Sequence, residues 1–414
     1  MTPEARVEVA PLGTTLPVRP PVSMAMPMGD MIPYVTDTPD ITIPANLLPA
    51  DGRFGSGPSK VRPEAVAALA GAASRYLGTS HRQQTVKSVV GSLRSGLRDL
   101  FSLPGDYEVM LGNGGTTCFW DAATFGLIET KSQHLSFGEF SSKFAKAAAD
   151  APHLSDPDIV TSEAGTHPDA VARDDVDLYA LTHNETSTGV MMPVTRPAGA
   201  APPDQGGGLV AVDATSGAGG LRVDPSQFDV YYFAPQKCFG SDGGLWVALL
   251  SPAAQERIAR IGASGRWVPA FLDLAIALDN SKLDQTYNTP ALATLFLFDD
   301  QVRWMNEQGG MAFSTGRCDR SAELLYSWAE ASSFATPFVT RPADRSRVVG
   351  TIDFDPSIDA TVVAKVLRAN GIVDTEPYRK LGRNQLRIAM FPTIDPEDVA
   401  ALCGCINHVV GALG

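Results

Sequence analysis

The sequence predicts an α/β fold in which a mostly parallel sheet lies between helices and a smaller α+β unit follows. From about residue 60, short continuous apolar segments alternate with amphipathic helical segments, which is typical of parallel strands covered on both faces. After about residue 306 the pattern changes to a short alternation of strands and helices. A chain of 414 residues is long enough for two domains. We therefore expect a large domain over residues 41–306 and a small C-terminal domain over residues 307–414.

The large domain begins with two predicted helices. Pro63 suits the first turn of a helix that runs through Ala73. Valine and leucine residues recur at helical spacing over 86–101 and predict a long amphipathic helix. The alternation then continues with strand 108–111, helix 118–128, strand 134–137, helix 139–149 and strands 178–181, 209–212, 230–233 and 245–250.

The C-terminal unit is predicted from four segments. These are strand 347–354, helix 360–369 with Gly371 just past its end, strand 386–390 and helix 396–410. The first 40 residues differ from everything that follows, because they are rich in proline and methionine and show no helical or strand period. Since proline removes hydrogen-bond donors and fixes φ, we expect residues 1–40 to form a flexible leader.

Bulk composition narrows the class of protein. With 44% hydrophobic and 19% charged residues the chain resembles an ordinary globular protein. A formal net charge of -13 argues against nucleic acid as a general partner. Five dispersed cysteines suit a reducing compartment. Because neither a membrane-spanning apolar run nor a secretory signal is evident, we expect a cytoplasmic protein without a membrane partner.

The most informative residue is Lys237, which follows the buried-strand pattern ending at Ala234 and precedes a glycine-rich loop. An earlier strand pattern, Leu209-Val-Ala-Val-Asp, ends by presenting Asp213. A lysine and an acid at the ends of successive strands are what pyridoxal 5′-phosphate requires, the lysine for a Schiff base and the acid for the pyridine nitrogen. The alternative is an ordinary solvated lysine at the end of a strand.

Other residues at the same predicted edge of the sheet support a cofactor site. Gly112-Asn-Gly-Gly-Thr-Thr follows a strand and opens a helix, so its amides suit a phosphate. The segment matches neither the P-loop nor the dinucleotide pattern, which favours a cofactor phosphate over a nucleotide. Phe140 suits stacking on a pyridine ring or packing in the core. Asn184 and Thr186 suit hydrogen bonds to the cofactor or a plain polar turn.

Basic residues and potential metal ligands also occur in distinctive places in the sequence. Arg387 lies in an apolar strand, so it should meet a carboxylate, of the substrate or of a structural ion pair. His81 and Arg82 follow Gly78-Thr-Ser in a polar loop. Cys403, Cys405 and His408 fall on a predicted helix, where residues two apart lie on different faces. We therefore expect packing cysteines there and no metal site.

Together these segments resemble the phosphoserine aminotransferase family of class V, fold-type I enzymes. The resemblance covers roughly residues 45–414 and rests on segments that occur in the family's order. They are Arg53-Phe-Gly-Ser-Gly-Pro-Ser, Thr79-Ser-His-Arg, Gly112-Asn-Gly-Gly-Thr-Thr, His183-Asn-Glu-Thr, Val212-Asp-Ala-Thr-Ser, Ala234-Pro-Gln-Lys and Tyr287-Asn-Thr-Pro.

The resemblance implies a fold-type I large domain with a seven-stranded, mostly parallel sheet, and it assigns roles to site residues. It implies that Lys237 is the Schiff-base lysine, that Asp213 pairs with the pyridinium and that Phe140 stacks on the ring. The remaining cofactor contacts that it implies are Gly115, Thr116, Thr186 and Gln236, with Asn288 and Thr289 reaching the phosphate from the partner subunit of a homodimer. The implied substrate ligands are Ser56 and Arg387 for the α-carboxylate region, and His81 and Arg82 for the distal anion.

Two positions depart from the family pattern. Many members carry an arginine where this chain has Thr116, and a tryptophan where it has Phe140. The missing arginine leaves part of the expected substrate-phosphate clamp without its usual residue. We hypothesise that Arg379, Lys380, Arg383 or Arg266 replaces it.

The resemblance implies reversible transfer of an amino group from L-glutamate to 3-phosphohydroxypyruvate, giving O-phospho-L-serine and 2-oxoglutarate. It leaves open a further role in pyridoxine biosynthesis. The nearest alternative is another class V enzyme, of the alanine–glyoxylate aminotransferase or cysteine desulfurase type. Phe140 argues against a desulfurase, which typically stacks a histidine on the cofactor. The remaining alternatives are a regulatory protein that has lost catalysis and a structural α/β protein without cofactor.

Overall fold

A seven-stranded sheet organises the computed structural model, which describes residues 38–414. Its order is β1-β9-β8-β7-β4-β2-β3, and only β9 runs antiparallel to its neighbours. The mostly parallel, seven-stranded sheet is therefore confirmed. The strands in chain order, with a short antiparallel pair β5–β6, are β1 Glu108–Gly114, β2 Ser132–Ser136, β3 Asp158–Thr161, β4 Leu178–Thr182, β5 Asn184–Glu185, β6 Val190–Met191, β7 Leu209–Asp213, β8 Val230–Phe233 and β9 Gly244–Leu250.

Helices cover both faces of this sheet because its strands are apolar on both sides. In β8, Tyr231 and Phe233 point into one core, whereas Tyr232 points into the other. The first core contains α1, α2 and α7, and the second contains α3, α4, α5 and α6. The helices are α1 Pro63–Tyr76, α2 Gln84–Leu100, α3 Thr116–Gly126, α4 Glu139–Asp150, α5 Pro252–Gly262, α6 Leu274–Lys282 and α7 Leu292–Glu307.

The C-terminal elements form a third core around a three-stranded antiparallel sheet, β10-β11-β12. Ile43 and Phe54, from the start of the described chain, pack into the same core. The elements are α8 Gly310–Ala331, β10 Ala335–Pro337, β11 Val349–Phe354, α9 Ala360–Ala369, β12 Gln385–Ala389 and α10 Pro396–Leu413. Residues Pro39–Gly414 form one compact unit, so the division at residue 306 stays a prediction.

Two local differences from the sequence prediction have physical causes. β1 continues through Gly114, because Gly112 to Gly114 pair with β9 as far as Gly244, so only Gly115 separates strand from helix. β3 was not predicted, since it is a short edge strand that leaves Ile159 44% exposed. The predicted leader, residues 1–40, lies almost wholly outside the described residues.

The cysteines and the histidine of α10 have structural roles. Cys403 and Cys405 are buried on α10, and His408 contacts the carbonyl oxygen of Thr42 at 3.3 Å. Among residues 38–414, no group of three or more His, Cys, Asp or Glu side chains could hold a metal ion. Within the same part of the chain, no helix combines the length and apolar character needed to cross a bilayer.

Gly112 provides a test of the β1–β9 pairing that leads to the site. It lies opposite Trp246, and a Cβ added at Gly112 would stand 2.0 Å from the Trp246 indole. We expect Gly112→Ala to lower the free energy of unfolding by about 1–3 kcal/mol, because the buried indole must shift. Gly71→Ala, at an open position of α1, should instead raise it by about 0.5–1 kcal/mol. Urea denaturation of the two variants measures both changes, and equal stabilities would contradict the expected clash.

Candidate active site

The predicted site residues meet beyond the carboxyl ends of β4, β7 and β8. Asp213 is the last residue of β7, and it pairs with Thr182 of β4 on one side and with Tyr232 of β8 on the other. The amide of His183, just after β4, donates to the Asp213 carbonyl oxygen at 2.8 Å. Lys237 follows β8 by four residues. Parallel strands thus bring these residues to one edge of the sheet, as predicted.

Lys237 carries an amine that is easy to deprotonate. Its Nζ donates a hydrogen bond to the carbonyl oxygen of Ser56 at 2.5 Å. Burial, together with the smaller effect of the positive charge of Arg387, lowers the pKa of Lys237 to about 8. Gly57 permits this approach, since a Cβ there would stand 2.0 Å from the Lys237 Nζ. A neutral amine is the form that attacks an aldehyde and accepts a proton.

Asp213 is a buried carboxylate with hydrogen bonds on both oxygens. Trp120 Nε1 donates to Oδ2 at 3.0 Å, while Thr215 donates to Oδ1 from its amide at 2.9 Å and its hydroxyl at 2.6 Å. Burial raises the pKa of Asp213, and these hydrogen bonds and the charge of Lys237 oppose that rise. A protonated ring nitrogen is a partner that would stabilise the ionised form.

The first turn of α3 offers amides to an anion. Gly115 is the residue before the helix, and its carbonyl oxygen accepts from the amides of Cys118 and Phe119 at 3.0 and 3.2 Å. Thr116 begins the helix and is buried. The first amides of a helix have no acceptor within it, and the space where a side chain of Gly115 would lie is open. This geometry suits a phosphate.

Phe140 and Thr186 flank the same edge of the sheet. Phe140 is the second residue of α4, and the centre of its ring lies 6.0 Å from that of Tyr378. The Thr186 hydroxyl donates to Ser216 Oγ at 2.8 Å, and the Asn184 amide donates to the same oxygen at 2.8 Å. Phe140 is only partly buried, and the Lys143 ammonium lies over its ring, 5.3 Å from the ring centre.

Several polar atoms here are buried without a hydrogen-bond partner in the described part of the chain. They are Ser56 Oγ, Gln236 Oε1, Asn184 Oδ1 and Arg387 Nε. Buried polar groups in native proteins are usually satisfied. Four such atoms beside Lys237 and Asp213 therefore fit a polar molecule bound among them. This set, with the α3 amides, matches the donors and acceptors that pyridoxal phosphate and an acidic substrate need.

Arg387 does not form the structural ion pair that was one of its two predicted roles. Within residues 38–414 its guanidinium contacts only the Thr186 carbonyl oxygen, at 3.4 Å, and the Tyr378 ring, 5.3 Å from the ring centre. Burial lowers its pKa. A partly buried cation without a carboxylate is well placed for a carboxylate that arrives with the substrate.

His81, Arg82, Asn288 and Thr289 form a second cluster. Thr289 Oγ1 lies 3.1 Å from His81 Nδ1, and Arg82 donates to Gln285 Oε1 at 2.7 Å. The Asn113 side-chain amide donates to the Asn288 side chain. Burial lowers the pKa of His81, and Arg82 adds to this effect. Arg82, Asn288 and Thr289 are exposed, so this cluster, unlike the residues around Lys237, lies open at the surface.

The contacts of the candidate residues reduce the number that could replace the missing family arginine. Arg266 donates to the carbonyl oxygens of Phe125, Ile128 and Glu129 at 2.6–3.1 Å, so its guanidinium serves the main chain. Arg383 is paired with Asp353. Lys380 forms an exposed ion pair with Glu139 at 2.5 Å, which places its segment beside the start of α4. Arg379 is exposed in that segment.

Sequence reasoning missed three residues that shape the site. Trp120 holds Asp213, Tyr378 lies between Phe140 and Arg387, and Glu185 binds the start of α4. Glu185 stands inside the quoted His183-Asn-Glu-Thr segment, where an acid bounded by polar residues gives no sign of being fully buried. A cavity of about 970 Å³ between α8 and residues 341–347 is lined by none of the predicted site residues.

Comparisons with known proteins agree with this geometry. Residues 54–375 match the family described as Aminotransferase class-V. A phosphoserine aminotransferase of Rhodococcus jostii is 63% identical over 380 residues, covering 92% of this chain and 100% of the relative. One of Corynebacterium glutamicum is 61% identical over 376 residues, covering 91% and 98%.

Solved structures support the fold. The phosphoserine aminotransferase of Cytophaga hutchinsonii superposes with a TM-score of 0.79 at 24% identity, covering 87% of this chain and 100% of that one. That of Bacillus circulans subsp. alkalophilus gives a TM-score of 0.74 at 21% identity, covering 88% and 99%. The predicted fold-type I arrangement is confirmed.

The lowered pKa of Lys237 can be measured in the cofactor-free protein. Acylation requires the neutral amine, so the rate at Lys237 should rise with pH, with a midpoint near pH 8. Peptide mass spectrometry after brief exposure to an amine-acylating reagent at a series of pH values measures this rate. In Arg387→Ala the midpoint should move upward, because a repelling charge is removed. A midpoint near the ordinary lysine value of about 10.4 would contradict the site geometry.

Proposed function

Because this chain belongs to the class V aminotransferase family, we propose that it is a phosphoserine aminotransferase that uses pyridoxal 5′-phosphate. It would transfer the amino group of L-glutamate to 3-phosphohydroxypyruvate, reversibly, as in L-serine biosynthesis. The observation that carries the proposal is the Lys237 amine beside the buried Asp213 carboxylate at one edge of the sheet. The choice of substrates rests on relatives that bear this name and match over their whole length.

The residues around Lys237 would hold the cofactor by its ring and its phosphate. Asp213, fixed by Trp120 and Thr215, would keep the ring nitrogen protonated. When bound, pyridoxal phosphate supplies an electron sink for negative charge at the substrate Cα. The phosphate would bind the first turn of α3, at Gly115 and Thr116, beside Gln236, whose Oε1 is buried without a partner. Phe140 would stack on the ring, and Thr186, whose hydroxyl donates to Ser216 Oγ, would lie beside it.

Lys237 would move the proton that the reaction transfers. With its pKa lowered to about 8, roughly a tenth of the amine is neutral at pH 7, far more than for an ordinary lysine, so Nζ can accept the proton from the substrate Cα. The protonated amine then returns this proton as a general acid. The Ser56 carbonyl oxygen, 2.5 Å away, gives the ammonium form a partner, which keeps the group within reach in both protonation states.

Both amino-acid substrates carry an α-carboxylate and a second anionic group. The half-buried Arg387, with no carboxylate partner among residues 38–414, would bind the α-carboxylate together with Ser56, whose Oγ is also unpaired. Arg379 and Lys380, beside the start of α4, are the remaining basic candidates for the distal phosphate or carboxylate within the same subunit.

A homodimer would complete the site. His81, Arg82, Asn288 and Thr289 cluster at the surface, and Tyr287 and Leu283 beside them are 44% and 60% exposed. Exposed apolar side chains surrounded by polar groups are typical of a subunit interface. In the dimer, His81 and Arg82 would reach the distal anion of the partner's substrate, and Asn288 and Thr289 would reach its cofactor phosphate.

All five cysteines are free, which suits the cytoplasm. A further role in pyridoxine biosynthesis stays a prediction.

The proposed activity is tested by comparing two substrate pairs. We expect kcat/KM for L-glutamate with 3-phosphohydroxypyruvate to exceed that for alanine with glyoxylate by at least about 10³-fold, because only the first pair has the distal anion. Borohydride reduction and peptide mapping should place the cofactor on Lys237. Lys237→Ala, the control, should show neither label nor activity. Faster turnover of alanine and glyoxylate would favour the alternative class V reaction.

Sharing of the site between subunits is tested with hybrid dimers. Lys237→Ala and the double variant His81→Ala, Arg82→Ala should each be inactive or nearly so. When equal amounts are unfolded and refolded together, half of the dimers are hybrids with one intact site, so activity should recover to about a quarter of wild type. Refolding each variant alone is the control. If the mixture stays as inactive as its components, both substitutions affect the same subunit's site.

A further inference from the structure

Glu185 is a completely buried acid with an unusual set of partners. It lies in β5 and is 0% exposed. Oε2 accepts hydrogen bonds from the amides of Phe140 and Ser141 at 3.1 and 2.9 Å, and from the Ser141 hydroxyl at 3.0 Å. Oε1 accepts from the amide and the hydroxyl of Ser187 at 3.1 and 2.7 Å. Five donors converge on one carboxylate.

Two of these donors are first-turn amides of α4, which normally need a capping side chain. The residue before this helix is Gly138, which has no side chain to offer. Glu185 therefore caps α4 from another element, and its negative charge faces the positive end of the helix dipole. Glu185 accepts a hydrogen bond from the backbone amide of Phe140 itself, so it fixes the position from which the Phe140 side chain projects.

The close contact between Glu185 and α4 requires a glycine at position 138. A Cβ added there would stand 2.3 Å from Glu185 Cγ, 2.4 Å from Cδ and 2.7 Å from Ser187 Oγ. Its φ of 179° is extended backbone that any residue adopts, so the need for glycine comes from the approach of Glu185. Glycine and the buried acid thus form one unit, contributed by two separate segments of the chain.

We propose that Glu185 is a positioning residue, which as a carboxylate holds the first turn of α4 so that Phe140 stacks on the cofactor ring. This inference rests on the proposed function, because it requires the cofactor to bind beside Phe140. Both oxygens of Glu185 accept N–H bonds, and a carboxylate is the form that accepts on both. Burial raises the pKa of Glu185, and its donors oppose this rise. Glu185 also favours the charged form of Lys237.

The proposal is tested by titrating the cofactor-free protein with pyridoxal phosphate and measuring Kd. In Glu185→Gln the side-chain NH₂ must face at least one N–H donor, so the first turn loosens. We expect Kd to rise about three- to tenfold, the range of a lost aromatic contact. Gly138→Ala should raise Kd by a similar factor, because the added methyl group would displace the Glu185 side chain. Asp150→Asn, which removes an exposed carboxylate at the far end of α4, should leave Kd unchanged.

A double-mutant cycle separates positioning from plain stabilisation. Phe140→Leu should raise Kd by a similar factor, and Glu185→Gln should add nothing further once Phe140 is gone. Multiplying effects, or a lower melting temperature with wild-type Kd, would show that Glu185 only stabilises the fold. If Glu185→Gln yields no folded protein, Ser187→Ala, which removes one of its bonds, should give a smaller rise in Kd that also disappears without Phe140.

The same experiment distinguishes this inference from the function on which it rests. Wild-type protein that neither binds pyridoxal phosphate nor is labelled at Lys237 would overturn the proposed function. Wild-type protein that binds the cofactor and is labelled at Lys237, with a Glu185→Gln variant of equal Kd, would overturn the role of Glu185 alone.

Discussion

The parallel pairing of β7 with β4 and β8 is the constraint on which the site depends. Asp213 lies opposite Thr182 on one side and Tyr232 on the other, so the three strands end together. Because side chains alternate along a strand, a slip of one residue would turn Asp213 to the opposite face and away from Lys237. Both faces of these strands are packed against helices, which fixes the register and with it the distance between acid and amine.

The buried charged groups of the site differ in how many hydrogen-bond partners they have. Glu185 has five donors and Asp213 has three, whereas Arg387 has one long hydrogen bond and an aromatic face. Removing a charge from water is costly unless partners replace the lost hydration. The satisfied groups therefore stabilise the scaffold, while the unsatisfied ones are where a cofactor and a substrate supply the missing partners. This division explains why perturbed pKa values and orphaned polar atoms occur together around Lys237.

Sequence reasoning found the residues whose position follows from strand ends. Lys237 and Asp213 were placed correctly because a buried strand is readable from its apolar run, and the residue after it must lie at the edge of the sheet. Glu185 was missed because its burial depends on Gly138 and Ser187, which approach only in the folded chain. Arg266 was included among the replacements for the missing family arginine for a related reason. Its three carbonyl partners, at the end of α3 and just beyond it, cannot be predicted from local sequence. Long-range hydrogen bonds, unlike periodicity, leave no local pattern.

The placement of the second cluster at the surface is the basis of the proposed homodimer. Asn288 is bonded to Asn113, two residues before the Gly115 that leads into the phosphate-binding turn, so the surface cluster and the cofactor site share the segment 113–116. Asn288 and Thr289 are nevertheless exposed, and the unpaired atoms around Lys237 remain unpaired within the described chain. A second copy docked on this surface would place its own cluster against the site of the first copy, because both subunits use the same surface in a two-fold interface. In the proposed homodimer, two-fold symmetry would therefore give each site the basic residues that its own subunit leaves at the surface.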